Sequence, residues 1–283
     1  MSGWIRAVAP AGPAIALLAV FCVCAAAPAA TLTAAQIVEK NAVARGGIAA
    51  WKKVETMAWV GHIESGKMPG LRVPFLLEQK RPNSTRFEVA VENQKSIRAY
   101  DGTTGWKLRP TSNGLPELQP YSDDELSFAR GAQAILGPLM DDMAHGGTAR
   151  LAGSETVDGR GAYVLDVLLP ADLRHRVWVD ADSFLEVKYE RDFRNSRGQI
   201  ATTTVSYRDY HDFQGLQMPV LIESSAATGR DAGKMVIERV ALNPPLDDRA
   251  FAKPAVPNRH RNGVTVDARG PAPGAGIAHP VPQ

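Results

Sequence analysis

From about residue 57 onward, apolar side chains recur at every second position of the chain. In STRFEVAVE (84–92), Thr85, Phe87, Val89 and Val91 fall on one side and Ser84, Arg86, Glu88 and Ala90 on the other. Successive side chains of a strand point to opposite faces, so this pattern predicts one sheltered and one wet face. The alternation returns in Met57, Trp59, Ile63; in Val73, Phe75, Leu77; in Tyr163, Leu165, Val167, Leu169; in Leu185, Val187, Tyr189, Phe193; and in Leu216, Met218, Val220, Ile222. Each run is bounded by turn chemistry: Asp101-Gly102, Asp158-Gly159, DADS from Asp180, NSRG from Asn195, DFQG from Asp212 and ATGRDAG from Ala227. Short turns of this kind join strands antiparallel. A mostly β chain of about a dozen antiparallel strands follows, with few helices to cover its apolar face.

Two helical stretches flank or interrupt the strands. LTAAQIVEKNAVARGG opens with a capping box from Thr33 to Gln36 and closes on Gly46-Gly47, and a shorter piece, IAAWKKV, follows it. Farther on, Ser122 and Glu125 form a second capping box ahead of DDELSFARGAQAIL, with Asp123 and Asp124 complementing the helix dipole, and Gly137-Pro138 is expected to end that helix.

The N-terminus carries Arg6, an apolar stretch from Ala14 to Ala27, and small residues at Ala27 and Ala29, the pattern of a cleaved secretory signal peptide over 1–29. The stretch is shorter than the roughly 20 apolar residues of a membrane-spanning helix. Both cysteines, Cys22 and Cys24, lie within it. The mature chain is therefore expected to lack a disulfide, a thiol nucleophile and a thiolate metal site. Residues 30–254 are expected to form one folded domain. Over 255–283 Pro and Gly rise and periodicity vanishes, which predicts a disordered tail.

Thirty-two basic residues against 30 acidic, with no long basic run, give nucleic-acid binding no electrostatic support. Of the six histidines only His211, in RDYHDF, sits in a dense polar cluster. Asp209, His211 and Asp212 could serve a metal or an acid–base reaction in the envelope, but they immediately precede FQGL, where Asp is expected for the turn itself. No G-x-S-x-G elbow occurs, and GTTG at 102–105 lacks the Lys-Ser/Thr of a phosphate loop. No metal or organic cofactor is expected. The large sheltered face, either a filled core or a groove for an apolar ligand, remains as the functional surface.

Five stretches, in order, resemble the LolA-like periplasmic carriers, the exported outer-membrane lipoprotein-sorting proteins: IVEKNAVARGGIAAWKKVETMAWVG, AYDGTTGWKLRP, GPLMDDMAHGGTARLAGSETVDGRGAYVLDV, VWVDADSFLEVKYE, and YHDFQGLQMPVLIES leading to IERVALNPPLDDRAFAKP. The resemblance implies an open, strongly curved antiparallel half-barrel whose concave face is covered by the N-terminal helix and by helices around 122–143. Pro244 and Pro245 would end the last strand, and Phe251 would tuck back onto the domain. It further implies a monomeric, non-enzymatic periplasmic carrier of an acylated lipoprotein or lipid, dealing with inner- and outer-membrane handover proteins. None of Arg72, Arg81 and Arg86 aligns with the basic residue that the family places near its groove entrance. The residues expected to line the groove are Trp59, Phe75, Leu77, Phe87, Val89, Tyr163, Leu165, Val187 and Met218, the large members of the sheltered face. An envelope sensor or structural protein that binds a protein or lipid without transporting it is the alternative use of the same fold.

Overall fold

The computed structural model describes residue 1 and residues 32–254, apart from 66–67, 92–93, 112–115, 132–134, 171–172, 196 and 227–232. The expected signal peptide beyond its first residue, the expected tail and the turn from Ala227 lie outside the described residues.

Among the described residues thirteen strands form a single antiparallel sheet. The first half comprises β1 (Thr56–Ser65), β2 (Met68–Lys80), β3 (Ser84–Val91), β4 (Gln94–Tyr100), β5 (Gly105–Arg109) and β6 (Glu117–Pro120). The second comprises β7 (Thr148–Val157), β8 (Arg160–Leu169), β9 (Leu173–Asp180), β10 (Glu186–Arg194), β11 (Ile200–Phe213), β12 (Leu216–Ala226) and β13 (Gly233–Leu242). Each half is a meander, and the two join where the first strand pairs with the last, in the order β6-β5-β4-β3-β2-β1-β13-β12-β11-β10-β9-β8-β7. Two connections use the mirror-image turns that suit strand twist: Asp158-Gly159 at φ 50° and 80°, and Gln214-Gly215 at 57° and 85°.

The helices are α1 (Ala34–Ala44), α2 (Ile48–Trp51), α3 (Asp123–Arg130) and α4 (Pro138–Ala144). Both expected capping boxes form, Thr33 with Gln36 and Ser122 with Glu125. Gly137-Pro138 does not end the helix begun at Ser122. That helix stops at Arg130, and Gly137 caps the next one, with Pro138 in its first turn. Proline suits this place because its missing N–H is one that a helix start leaves unbonded in any case.

The meander order forces the helical link to cross the sheet, because β6 and β7 are opposite edges of it. On α3, Glu125 accepts hydrogen bonds from Arg98 of β4 and Lys107 of β5, while Phe128 packs edge-on against Phe193 of β10. Seven strands separate β5 from β10. Laid flat they would stand about 38 Å apart at ~4.8 Å per strand, whereas an eight-residue helix is only about 12 Å long. Contact with both strands requires the sheet to curl around α3.

The outer face of β1–β4 is wet, with Arg86 bridging Glu78 and Glu88, and His62 bonded to Glu64 and Glu238. At the outer edge Ile97, Ala99 and Trp106 form a small cluster. Trp106 Nε1 donates to the carbonyl of Phe251, which is 1% exposed, so the end of the described chain does fold back here. After β13 the backbone leaves through Asn243 at φ 53°, and Asp247 caps a single 3-10 turn ahead of Phe251.

Candidate functional site

The inner face is divided. Under α1 and α4, Ile37 and Leu139 pack with Leu165, Val167, Val177, Val179 and Tyr189 into a core with no exposed side chain among them. Over β1, β2 and β12, by contrast, a cavity of about 230 Å³ remains between the sheet and the segment joining α3 to α4. Trp51, Met57, Trp59, Leu77, Ile135, Met218, Ile222 and Met235 give it an apolar wall, and Arg45, Tyr207 and Tyr210 a polar corner.

The polar corner is built by α1 and a bulge. Gly46, at φ 103°, lets the end of α1 approach the β11–β12 turn so closely that a Cβ there would stand 2.2 Å from the Gly215 carbonyl oxygen. Arg45 Nε donates to Gln217 O at 2.9 Å, and the Gln217 amide donates back to Arg45 O at 3.2 Å, so helix end and strand are stitched together. Arg45 Nη1 meets Glu186 Oε2 at 3.0 Å, with both side chains out of solvent. Burial alone would lower the pKa of this guanidinium, but Glu186 and Tyr210 more than offset it and hold it above the ordinary arginine range. Burial, and then the Glu186 carboxylate, push the Tyr210 hydroxyl well up, so it stays protonated and donates to Glu186 O at 2.8 Å. Glu186 Oε1 and Trp59 Nε1, both buried, have no hydrogen-bond partner among the described residues.

The nine expected lining residues separate accordingly. Trp59, Leu77 and Met218 line the cavity. Phe75, Phe87 and Val89 share the inner face with Leu77, since Leu77 stands opposite Phe87 and Phe75 opposite Val89, but they lie beyond the cavity wall. The Phe75 and Phe87 rings are 5.8 Å apart. Tyr163 and Leu165 lie inside but in the closed core, Tyr163 stacked on Phe184 and Leu165 covered completely. Val187 is a correction: it packs on the outer face with Ala162, Val164 and Trp178. Glu186 stands opposite Val179 and Lys188 opposite Trp178, so Val187 is the extra residue of a bulge. The bulge turns Glu186 inward to Arg45 and Val187 outward.

Several wall residues carry little or no signal in the sequence. Met57 and Ile222 belong to the alternating pattern, but nothing in it marks them as lining. Val205 and Tyr207 belong to IATTTVSYRDYHDF, whose threonines mute the alternation, and Met235 has little apolar company along its strand. Arg45 has no local signal, because its partner is 141 residues away. Of the Asp209–Asp212 cluster, Asp212 serves the turn, accepting from the Gly215 amide and from Gln217 Nε2, whereas Asp209 sits within β11 at φ 53° and His211 is exposed. Among the described residues no group of three His, Cys, Asp or Glu side chains is placed to hold a metal ion. Arg81 is committed to the carbonyls of Val54 and Trp51, Arg86 to the outer-face ion pairs, and Arg72 is exposed beside Glu64.

No protein-family model matches the chain, and none of the curated proteins does. Solved structures do resemble it. A LolA superfamily protein from Nitrosomonas europaea is 16% identical with a TM-score of 0.50, over 79% of this chain and 99% of that one. A DUF1329 family protein from Desulfovibrio piger gives 14% and 0.49, over 78% and 98%. A domain described as that of an outer membrane lipoprotein-sorting protein, from Vibrio parahaemolyticus, gives 10% and 0.49, over 76% and 94%. The first of these establishes a common fold: this is an open antiparallel sheet of the LolA type.

Proposed function

We propose that this LolA-like chain is a non-enzymatic periplasmic carrier, which shelters an acyl chain of a lipoprotein or lipid on its way toward the outer membrane. The observation that carries the reading is the apolar cavity between Trp59, Leu77 and Met218 on the sheet and Ile135 on the covering segment. Each methylene kept from water is worth about 0.8 kcal/mol, so a long chain crossing unprotected meets a barrier of order 10 kcal/mol. Such a wall lowers that barrier. At about 230 Å³ the cavity is smaller than the ~300–1,000 Å³ usual for small-molecule sites. A whole chain therefore needs additional room, and half-buried Phe87 and Val89 supply inner-face apolar surface continuous with Leu77, beside the covered Phe75.

The test is transfer of a fluorescent fatty acid or acylated peptide from donor to acceptor vesicles by the signal-free protein. Leu77→Trp, which narrows the cavity, is expected to reduce uptake at least tenfold. Leu76→Trp, on the opposite face of the same strand, is expected to leave it unchanged. Equal uptake by both variants refutes the site. Binding without transfer would favour a sensor that uses the same cavity.

A further inference from the structure

A second cavity, about 460 Å³, lies between α3, α4 and the inner face of β9 and β10. Helix α4 borders both spaces: Pro138, in its first turn, lines the apolar cavity, and Asp141 and Asp142 line this one. The second space has a mixed lining, with apolar Leu169, Leu173 and Phe193 beside charged groups, and most of its buried polar groups are already paired. Both Asp142 carboxylate oxygens lie 2.9–3.0 Å from His175 Nδ1, which is also 2.8 Å from the Tyr189 hydroxyl. Asp141 lies 3.4 Å from His145.

Arg191 is the exception. It is 7% exposed, yet among the described residues it makes one hydrogen bond, from Nη2 to the Phe128 carbonyl at 2.7 Å, and rests on the Phe128 ring at 4.4 Å. No carboxylate among the described residues forms an ion pair with it. A guanidinium has five N–H donors in a planar fork, and burying a cation without a counter-charge is costly. Burial accordingly pulls Arg191 below the usual arginine range, although Tyr189 and Asp142 partly oppose it. Arg191 itself lines this cavity, which is large enough for a ligand group.

We infer that Arg191 receives the anionic head group, a phosphate or carboxylate, of an amphiphile whose apolar chain occupies the neighbouring cavity across α4. The fork geometry suits two parallel bonds to such an oxyanion. The carboxylates of Asp141 and Asp142 across the same space suit hydroxyl or ammonium groups borne by the head group. This inference rests on the carrier reading and adds the class of head group to it.

Two lipids that differ only in the anion provide the test: 1-oleoylglycerol 3-phosphate and 1-oleoylglycerol, titrated against the full chain, with inorganic phosphate as a third probe. The phosphate lipid is expected to bind at least tenfold more tightly than the neutral one. Arg191→Gln should erase that preference while leaving neutral-lipid affinity within twofold, and Arg191→Lys should restore part of it. Should Arg191→Gln fail to fold, Leu173→Trp, at an apolar residue that lines this cavity and so narrows it without altering its charge, should remove the preference instead. Equal affinities of the native chain for the two lipids would overturn the inference and leave the carrier reading standing. Failure of both lipids to bind would overturn the carrier reading and the inference with it. A response to inorganic phosphate that Arg191→Gln abolishes, without any lipid preference, would assign the site to a free oxyanion and overturn the head-group assignment.

Discussion

Removing Arg45 should damage this protein more than removing Arg45 and Glu186 together. The pair is inaccessible, at 4% and 0% side-chain exposure, with Nη1 and Oε2 3.0 Å apart. In Arg45→Met the Glu186 carboxylate remains buried with no cation, and Tyr210 is the hydroxyl left to it. Breaking one side of a buried pair costs about 3–5 kcal/mol. In Arg45→Met/Glu186→Met the stranded charge is gone. What is lost then is the bond from Arg45 Nε to Gln217 O and the cation resting 4.9 Å from the Trp51 ring, together about 2 kcal/mol. The double variant should thus be more stable than Arg45→Met by about 1–3 kcal/mol. The assay is urea unfolding followed by tryptophan fluorescence, with the four proteins forming a double-mutant cycle. A cost below about 1 kcal/mol for Arg45→Met, or strict additivity of the two single costs, would refute the argument that the pair acts as one buried unit.

Two further outcomes follow from the same structure. Burial would raise the Glu125 carboxyl, but Lys107, the Ser122 amide and Arg98 together hold it at about 2, below its usual 4.5. A depressed carboxylate stabilises the fold above pH 4.5 and loses that contribution as pH falls toward 2. The full shift would be worth about 3 kcal/mol, and screening at this partly open site reduces it to about 1–2 kcal/mol. Glu125→Gln should cost that much at pH 7 and nothing near pH 2, read by urea midpoints at both pH values. Phe251→Ala should cost about 3–4 kcal/mol, because it empties a fully covered ring site at the outer edge of the sheet. A thermal melt within 2 °C of the native protein would show that the chain's return to Trp106 adds no stability.

Legibility in the sequence follows the range of the interaction. The capping boxes at Thr33 and Ser122, the turns at Asp158 and Gln214, and the alternation of Trp59, Leu77 and Phe87 are contacts among neighbours or repeats along one strand, so the residues alone reveal them. Gly137-Pro138 reads as a helix stop in the sequence and is a helix start in the fold. Both readings use the same two residues, and only the chain that follows distinguishes them. Leu165 and Trp59 have the same alternating signature, yet one lies in a closed core under α1 and the other beside a cavity.

The chain's own pattern determines that this is a sheet of many antiparallel strands with one sheltered face, because side-chain direction along a strand has period two and the turns set its ends. Three things were left to the tertiary structure. The bulge at Val187 reversed inside and outside for part of β10, since one unpaired residue breaks the parity on which the pattern depends. The curl around α3 decided which strands share a space, since β5 and β10 meet one helix only when the whole sheet bends. Finally, Arg45 found Glu186, and Arg191 came to line a cavity with no described carboxylate in ion-pair contact with it, through packing between elements far apart in the chain, where no local pattern records who will be the neighbour.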